Sequence, residues 1–493
     1  MNLQSTLFRF IVALCMVVGC NDTFAQPKPK DFSKKLGMKI NDAQYLQMPK
    51  KAQNVVFRGI LPTTKTLTQF CPAIEDQGEY GTCVGWATAY YMRTIIEARK
   101  RNLTSANSIA PFRFSPTYIY EQIKKSSDYD CQGGATIPDA LQVMRNKGAA
   151  LLACQPYQCG ANVSKCDADA ANYKIENFAT LFDILQTPSE VKVLKIKEAL
   201  AVGDVPVPIG MMVSRSFFSA TDQWQAAPGE EPENALGGHA MAIIGYDDNR
   251  YGGSFLIANS WGTQWGNNGF TWAKYEDVAR FTRYAFQVFM PVNPNPPINT
   301  TTLKSDMVFK LSDNNADIPV TSIQERGLDV TKDPATVEMI TYRMTTPYNS
   351  GTRFKMSINN SKQSYVYIVG SDDVNRVTKL FPYQGDLSQN VSAIVSPNTS
   401  VMLPAADRSF TLDTVTGNDF FLVLVSEKEL NVEEVAAKIK NASGSFAQKV
   451  YSAFGSELIS PVNIAYQPTQ VSFEVKGNPT GTIVPMLVRI VHK

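Results

Sequence analysis

The sequence predicts an α+β chain in two unlike parts: a first half of alternating helical and strand patterns, then a mostly-β C-terminal module. Three observations carry this. All eight cysteines lie at or before Cys166, and all five tryptophans (Trp86, Trp224, Trp261, Trp265, Trp272) lie before residue 273. Residues 291–299 place four prolines in nine positions, a run that continues neither a helix nor a central strand and reads as a stiff linker. After it, strand-like runs replace most of the helical patterns. The expected organisation is a signal peptide over 1–25, a leader or linker over 26–67, a folded domain over 68–290, the proline-rich linker, and a β-rich module over 300–493.

Composition narrows the function classes. A chain of 493 residues with 44% apolar content has enough material for two or three cores. Lys+Arg 47 nearly cancels Asp+Glu 45, and a net charge of +2 gives no electrostatic reason to expect nucleic acid as a partner.

At the N-terminus, Arg9 precedes the ten-residue apolar run Phe10–Gly19, too short to span a bilayer and suited to a secretory signal. Two exits are open. Thr23-Phe24-Ala25 offers cleavage before Gln26, while Val17-Val18-Gly19-Cys20 offers a lipid anchor at Cys20. Either way the expectation is an exported protein, secreted or periplasmic, or an outer-membrane lipoprotein if Cys20 is the anchor, with no transmembrane span in the mature chain. Residues 26–54 are polar and rich in lysine.

The segment Asp76-Gln77-Gly78-Glu79-Tyr80-Gly81-Thr82-Cys83 opens a helix, since Val84, Ala87, Tyr91, Ile95 and Ala98 step by three and four. Cys83 in a first turn meets backbone N–H groups and the positive end of the dipole, which favour thiolate. Gly237-Gly238-His239 leads into the apolar strand Ala240–Tyr246, and His239 is one of only two histidines. The other, His492, reads as a solvated terminal residue. A further strand runs into the frame Asn259-Ser-Trp261-Gly-x-x-Trp265-Gly-x-x-Gly269.

Together these three segments resemble the papain-like cysteine peptidases over about residues 68–290. The resemblance implies a two-lobed fold, a helical lobe beside a β-barrel-like lobe. It implies Cys83 as nucleophile, His239 as base, Asn259 as the residue orienting the imidazole, and Gln77 as an oxyanion-hole donor. Trp261 matches the aromatic that shields the histidine–asparagine bond, and Trp261 and Gly238 join the candidate substrate-binding set. Asp130-Cys131-Gln132-Gly133-Gly134 matches the stretch whose glycines let a substrate backbone pair with the enzyme. The implied substrate is a protein or peptide, and the chemistry needs no metal or organic cofactor. Two other readings stay open: a catalytically weak binding protein of the same fold, and a thiol transpeptidase or amidase.

Four departures stand beside the resemblance. Tyr80 occupies the position where the family carries a cysteine bonded to the counterpart of Cys131, and Val84 stands where it carries tryptophan. Residues 26–67 lack the long helical pro-segment of lysosomal relatives, which argues against self-inhibition of that kind. The 156 positions from Cys83 to His239 exceed the about 130–150 usual for the group, and the excess is expected near 155–187 and 219–236. Setting aside Cys15, Cys20 and Cys83 leaves Cys71, Cys131, Cys154, Cys159 and Cys166, an odd set allowing at most two bridges of unresolved pairing. A zinc site on Cys154, Cys159 and Cys166 is the alternative, with poor spacing.

In the second half, strand-like runs are Met307–Leu311, Val337–Met344, Arg353–Ile358, Tyr365–Val369, Val377–Phe381, Phe410–Leu412, Asp419–Val425, Val471–Val475 and Ile483–Val491. Helical patterns cover Val432–Lys440 and Ser445–Phe454. The runs Ser364–Gly370, Lys379–Pro382, Leu403-Pro404 and Asn418–Ser426 resemble an uncharacterised domain found at the C-terminus of various bacterial exported proteins. Tyr365, Tyr367, Phe381 and Tyr383 read as core and cross-strand packing, with a ligand patch as the alternative. The module carries no catalytic constellation and is expected to bind a surface or partner.

Overall fold

The computed structural model describes residues 36–52, 61–184, 186–291, 302–323, 339–374, 376–383, 390–405 and 407–493. The signal-like run, Cys20 and all of the proline-rich linker except Pro291 lie outside the described residues.

The first half has two lobes, as the family resemblance implies. Helices at Cys83–Lys100, Pro116–Ile123 and Ile137–Asn146 form one lobe. The other is an eight-stranded, mainly antiparallel sheet of β1 (Thr64–Thr66), β2 (Asn177–Thr180), β3 (Val207–Val213), β4 (Gln223–Trp224), β5 (Gly237–Asp247), β6 (Ser254–Ala258), β7 (Phe270–Lys274) and β8 (Thr282–Phe289). Its order is β2-β8-β3-β5-β6-β7-β4, with β1 on β5. The nine residues Gly238–Tyr246 of β5 are buried, because the helical lobe covers one face of this central strand and the sheet's own apolar core the other.

The helix opening at Cys83 is not uniform. After Cys83–Gly85 it widens into a π-helical stretch over Trp86–Arg93 and returns to α over Thr94–Lys100. A π stretch shifts the helical face from ideal 3.6 spacing, which a count by threes and fours cannot reveal. Gly85 lets the first turn lie against the Pro116 carbonyl, where a Cβ would collide.

The second half is a two-sheet sandwich. One sheet orders Thr399–Leu403, Arg353–Asn360, Lys304–Leu311, Val471–Val475 and Ile464–Tyr466. The other orders Val320–Ile323, Thr341–Met344, Ile483–His492, Gly417–Ser426, Ser364–Asp372 and Thr378–Phe381. Helices Val432–Asn441 and Phe446–Phe454 cover the outer face of the second sheet.

Two expectations for this half need correction. His492 is buried rather than solvated, because its strand lies inside the second sheet; Nδ1 faces Asp419 Oδ2 at 2.9 Å and Nε2 faces Ser350 Oγ at 2.9 Å. The module is also more than tethered. Tyr365, Tyr367 and Leu424 share one apolar cluster with Ala179 and Phe289 of the first half, and Tyr365 OH donates to Glu176 Oε1 at 2.8 Å. Of the four aromatic residues singled out, Tyr365, Tyr367 and Phe381 are buried packing residues and Tyr383 is exposed.

Candidate active site

The nucleophile candidate sits where the helical lobe meets the sheet. Cys83 is fully buried, and its Sγ accepts the Ala240 N–H from β5 at 3.4 Å. The preceding β5 residue is His239, also fully buried. Its Nε2 faces Asn259 Oδ1 at 2.8 Å, and the Ser260 N–H donates to the same oxygen at 2.8 Å, fixing the amide's orientation. An amide oxygen can only accept, so Nε2 carries the hydrogen and the neutral ring presents Nδ1 as its basic nitrogen. Asn259 directly follows β6 and is held by its own N–H to Gly269 O at 3.1 Å and by Tyr91 OH on its carbonyl at 2.8 Å.

Trp261 packs 4.6 Å from the His239 ring, centroid to centroid, and stacks on Phe218 at 5.1 Å. Trp261 thus lies against the imidazole ring, the place the resemblance gives to a shielding aromatic. Gln77 Oε1 accepts from Ser260 Oγ at 2.6 Å, and Nε2 donates to Tyr80 O at 2.7 Å.

Sequence reasoning missed Tyr157. Its OH donates to Gln77 O at 2.7 Å and lies 2.7 Å from Thr82 Oγ1, and its ring meets Trp86 edge-on at 4.9 Å. It therefore ties the glutamine loop to the residue before the nucleophile, at the end where Tyr80 replaces the family's cysteine. The loop carrying it is stapled by Cys131–Cys159 and Cys154–Cys166, leaving Cys71 and Cys83 as free thiols among the described residues. These bridges consume the thiols of the zinc alternative and give Cys131 its partner.

The cleft above Cys83 holds part of the chain itself. Residues 36–40 cross it in extended form. Met38 N–H donates to Gly238 O at 3.1 Å, Ala135 N–H to Gly37 O at 2.9 Å, and Lys39 N–H to Ala135 O at 2.8 Å. A Cβ on Gly134, which has φ +69°, would strike the Gly37 carbonyl, and one on Gly238 would strike that of Met38. Both candidate glycines thus admit a peptide backbone at close range. Gly133 lies one residue away and donates to Asp128 Oδ1 at 2.9 Å, so it shapes the turn. The Met38 side chain fills a slot against Gly210, Gly238 and Tyr284.

Beyond the cleft the leader forms the helix Asp42–Gln47, capped by Asn41. Tyr45 is buried and donates to Phe182 O at 3.0 Å. Asp42 pairs with Arg283 and accepts from Tyr284 OH at 2.6 Å. The expectation against self-inhibition rested on the missing long helical pro-segment; this short leader covers the thiol without one.

Burial of Cys83 in this closed form runs against the expected low-pKa thiol. Burial pushes Cys83 up to about 11 from an ordinary 9.0, outweighing the backbone N–H groups of Ala240, Gly37, Val84 and Cys83 itself. Asp42 goes the other way. Its hydrogen bond from Arg283 holds the carboxyl below its ordinary 3.8, helped by Tyr284 and opposed by partial burial. A carboxylate that binds its proton less tightly when docked contributes fully above the free value, and the contribution is lost as pH falls through the docked value. Leader residues should therefore become more open to pepsin on going from about pH 5 to about pH 3, and Asp42→Asn should flatten that dependence. An unchanged acid profile in Asp42→Asn would mean that this ion pair does not hold the leader.

Residues 64–288 match the sequence model of the papain family cysteine protease. Over these residues, just under half of the chain, the sequence is similar to that family. Residues 347–429 match a domain of unknown function, DUF4384. An uncharacterised peptidase C1-like protein of Acanthamoeba polyphaga mimivirus is 27% identical over 214 residues, covering 41% of this chain and 65% of that protein. Cysteine proteinase 3 of Entamoeba histolytica is 26% identical over 199 residues, 40% of this chain and 57% of that one. The chain thus spans under two thirds of each relative. Among solved structures, xylellain, a cysteine protease from Xylella fastidiosa, aligns with a TM-score of 0.42 at 24% identity, over 52% of this chain and 97% of that one. Among the described residues no helix is long and apolar enough to cross a membrane.

Proposed function

We propose that this chain is an exported cysteine peptidase that cleaves peptide bonds through a Cys83 acyl-enzyme and is latent while residues 36–52 are docked. The observation that carries the reading is the Cys83–His239–Asn259 arrangement at the floor of a cleft whose two walls pair with an extended backbone. The short apolar run at Phe10–Gly19 and the two disulfides support export.

With the cleft open, His239 Nδ1 takes the Cys83 proton while Asn259 holds the ring and its tautomer. The thiolate attacks the substrate carbonyl carbon, and the oxyanion is met by the Cys83 N–H and the Gln77 amide. The tetrahedral intermediate collapses, the C–N bond breaks, and the imidazolium protonates the departing amine. Water then attacks the thioester with His239 as base, which releases the acid and restores the thiol. The C-terminal module makes no contribution to these steps and acts by binding or positioning.

The reading is tested by profiling a peptide library with the leader excised, beside Cys83→Ala. A leader-free chain that alkylates at Cys83 yet cleaves nothing would favour the binding-protein alternative. The Met38 slot adds a specificity. Unbranched apolar side chains of methionine size should be cleaved at least about tenfold better than aspartate there. Gly210→Val, whose side chain would occupy the space of Met38 Sδ, should erase the preference. A flat profile in the parent enzyme would separate the slot from substrate selection.

A further inference from the structure

The leader has a second grip, remote from the cleft. Residues 49–51 run between two edges of the molecule. On the peptidase side, Thr180 N–H of β2 donates to Pro49 O at 2.9 Å and Lys51 N–H donates to Thr180 O at 2.9 Å. On the module side, Lys50 N–H donates to Asn390 O at 2.7 Å and Ser392 N–H donates to Lys50 O at 2.8 Å. The next residue, Ala52, is buried in the apolar core of the sandwich. Lys50 Nζ meanwhile reaches Asp183 Oδ2 of the peptidase at 2.9 Å.

We propose that the C-terminal module is the clamp of this latent enzyme: its edge at Asn390–Ser392 and the β2 edge together form a slot for leader residues 49–52, and engagement of that slot keeps residues 36–40 over Cys83. The inference rests on the reading above that the docked leader blocks a peptidase site. A three-residue strand on one edge has few backbone bonds to hold it, and the module doubles them by strand addition from the other side. The two grips belong to one short chain segment. Holding one raises the effective concentration of the other at its site, and freeing one lowers it. This gives the module a role in the enzyme although it supplies nothing to the chemical step.

The test uses the full chain and two leader variants that substitute no residue of the cleft, the triad or the module. Ala52→Asp places a charge in the sandwich core, and Lys50→Pro deletes the N–H that Asn390 accepts. Iodoacetamide labelling at pH 7 is mapped by peptide mass, with Cys71, which burial also holds in its thiol form, as the internal control for opening of the fold. Both variants should label Cys83 at least tenfold faster than the parent, with Cys71 unchanged. Labelling as slow as the parent in both variants would overturn the clamp. Parallel acceleration at Cys71 would overturn it too, by making the module a requirement for the peptidase fold rather than for latency. Fast labelling at Cys83 without peptide hydrolysis would uphold the clamp and sink the peptidase reading, so the two fail separately.

Discussion

Excising the leader should raise the alkylation rate of Cys83 at neutral pH by at least about a hundredfold. The thiol stands at about 11 with the leader docked, and 9.0 is its ordinary value. Return to the ordinary value on exposure would be about a hundredfold in thiolate at pH 7. The opened site gains more, because water then reaches the sulfur and solvates the thiolate. A cleavage sequence for a site-specific protease placed within residues 53–60 lets one preparation be labelled before and after cutting. The docked form should also show its labelling rise only as pH approaches about 11, and the cut form well below that. Equal rates before and after cutting and removal of the leader would mean that residues 36–40 do not guard the thiol.

Cys83→Ala should remove turnover of peptides by the leader-free enzyme, a loss of about 10⁶ in kcat. No other described side chain stands in its place to form the thioester. Asn259→Ala should cost less, about 10²–10⁴, because it frees the imidazole to rotate and change tautomer while leaving the nucleophile in place. Its signature is a shifted and broadened pH profile of kcat/KM together with the lower rate. Full activity with an unaltered profile in Asn259→Ala would remove Asn259 from its orienting role. Residual turnover in Cys83→Ala at the level of Asn259→Ala would remove Cys83 from the chemistry.

Much of the site could be read from residue types in order. Cys83, His239 and Asn259 lie far apart in sequence, yet each sits at the end or start of a strongly patterned element, and the sheet order brings β5 and β6 side by side. The sandwich was similarly legible. The runs at Arg353–Ile358, Tyr365–Val369 and Asp419–Val425 fall inside strands Arg353–Asn360, Ser364–Asp372 and Gly417–Ser426, the first because it alternates buried and more exposed residues and the other two because they are short apolar runs buried on both faces over most of their length. What escaped was non-local. Leu36–Ile40 has no periodicity to announce that it binds the cleft, since its grip is through backbone atoms that every residue owns. Tyr157 gave no signal because its polar partners are one main-chain oxygen and one hydroxyl, and its ring partner Trp86 lies far away in sequence. His492 misled because nearness to a terminus suggested solvent, whereas its neighbours Ile483–Val491 pointed to a buried strand. The cysteine pairing required knowing which loops meet in space.

That last strand sets an order of assembly. Ile483–His492 pairs antiparallel with Gly417–Ser426 on one side and parallel with Thr341–Met344 on the other. A sheet cannot close around a strand that has not yet been made. During synthesis the peptidase half and most of the sandwich sequence therefore emerge while the second sheet still lacks an inner member. Contacts joining residues this distant along the chain form slowly. The polypeptide thus passes through an interval in which the eight-stranded sheet of the first half has all its strands while the second sheet of the sandwich lacks one, and Ala52 has no finished core to enter until Ile483–His492 is made.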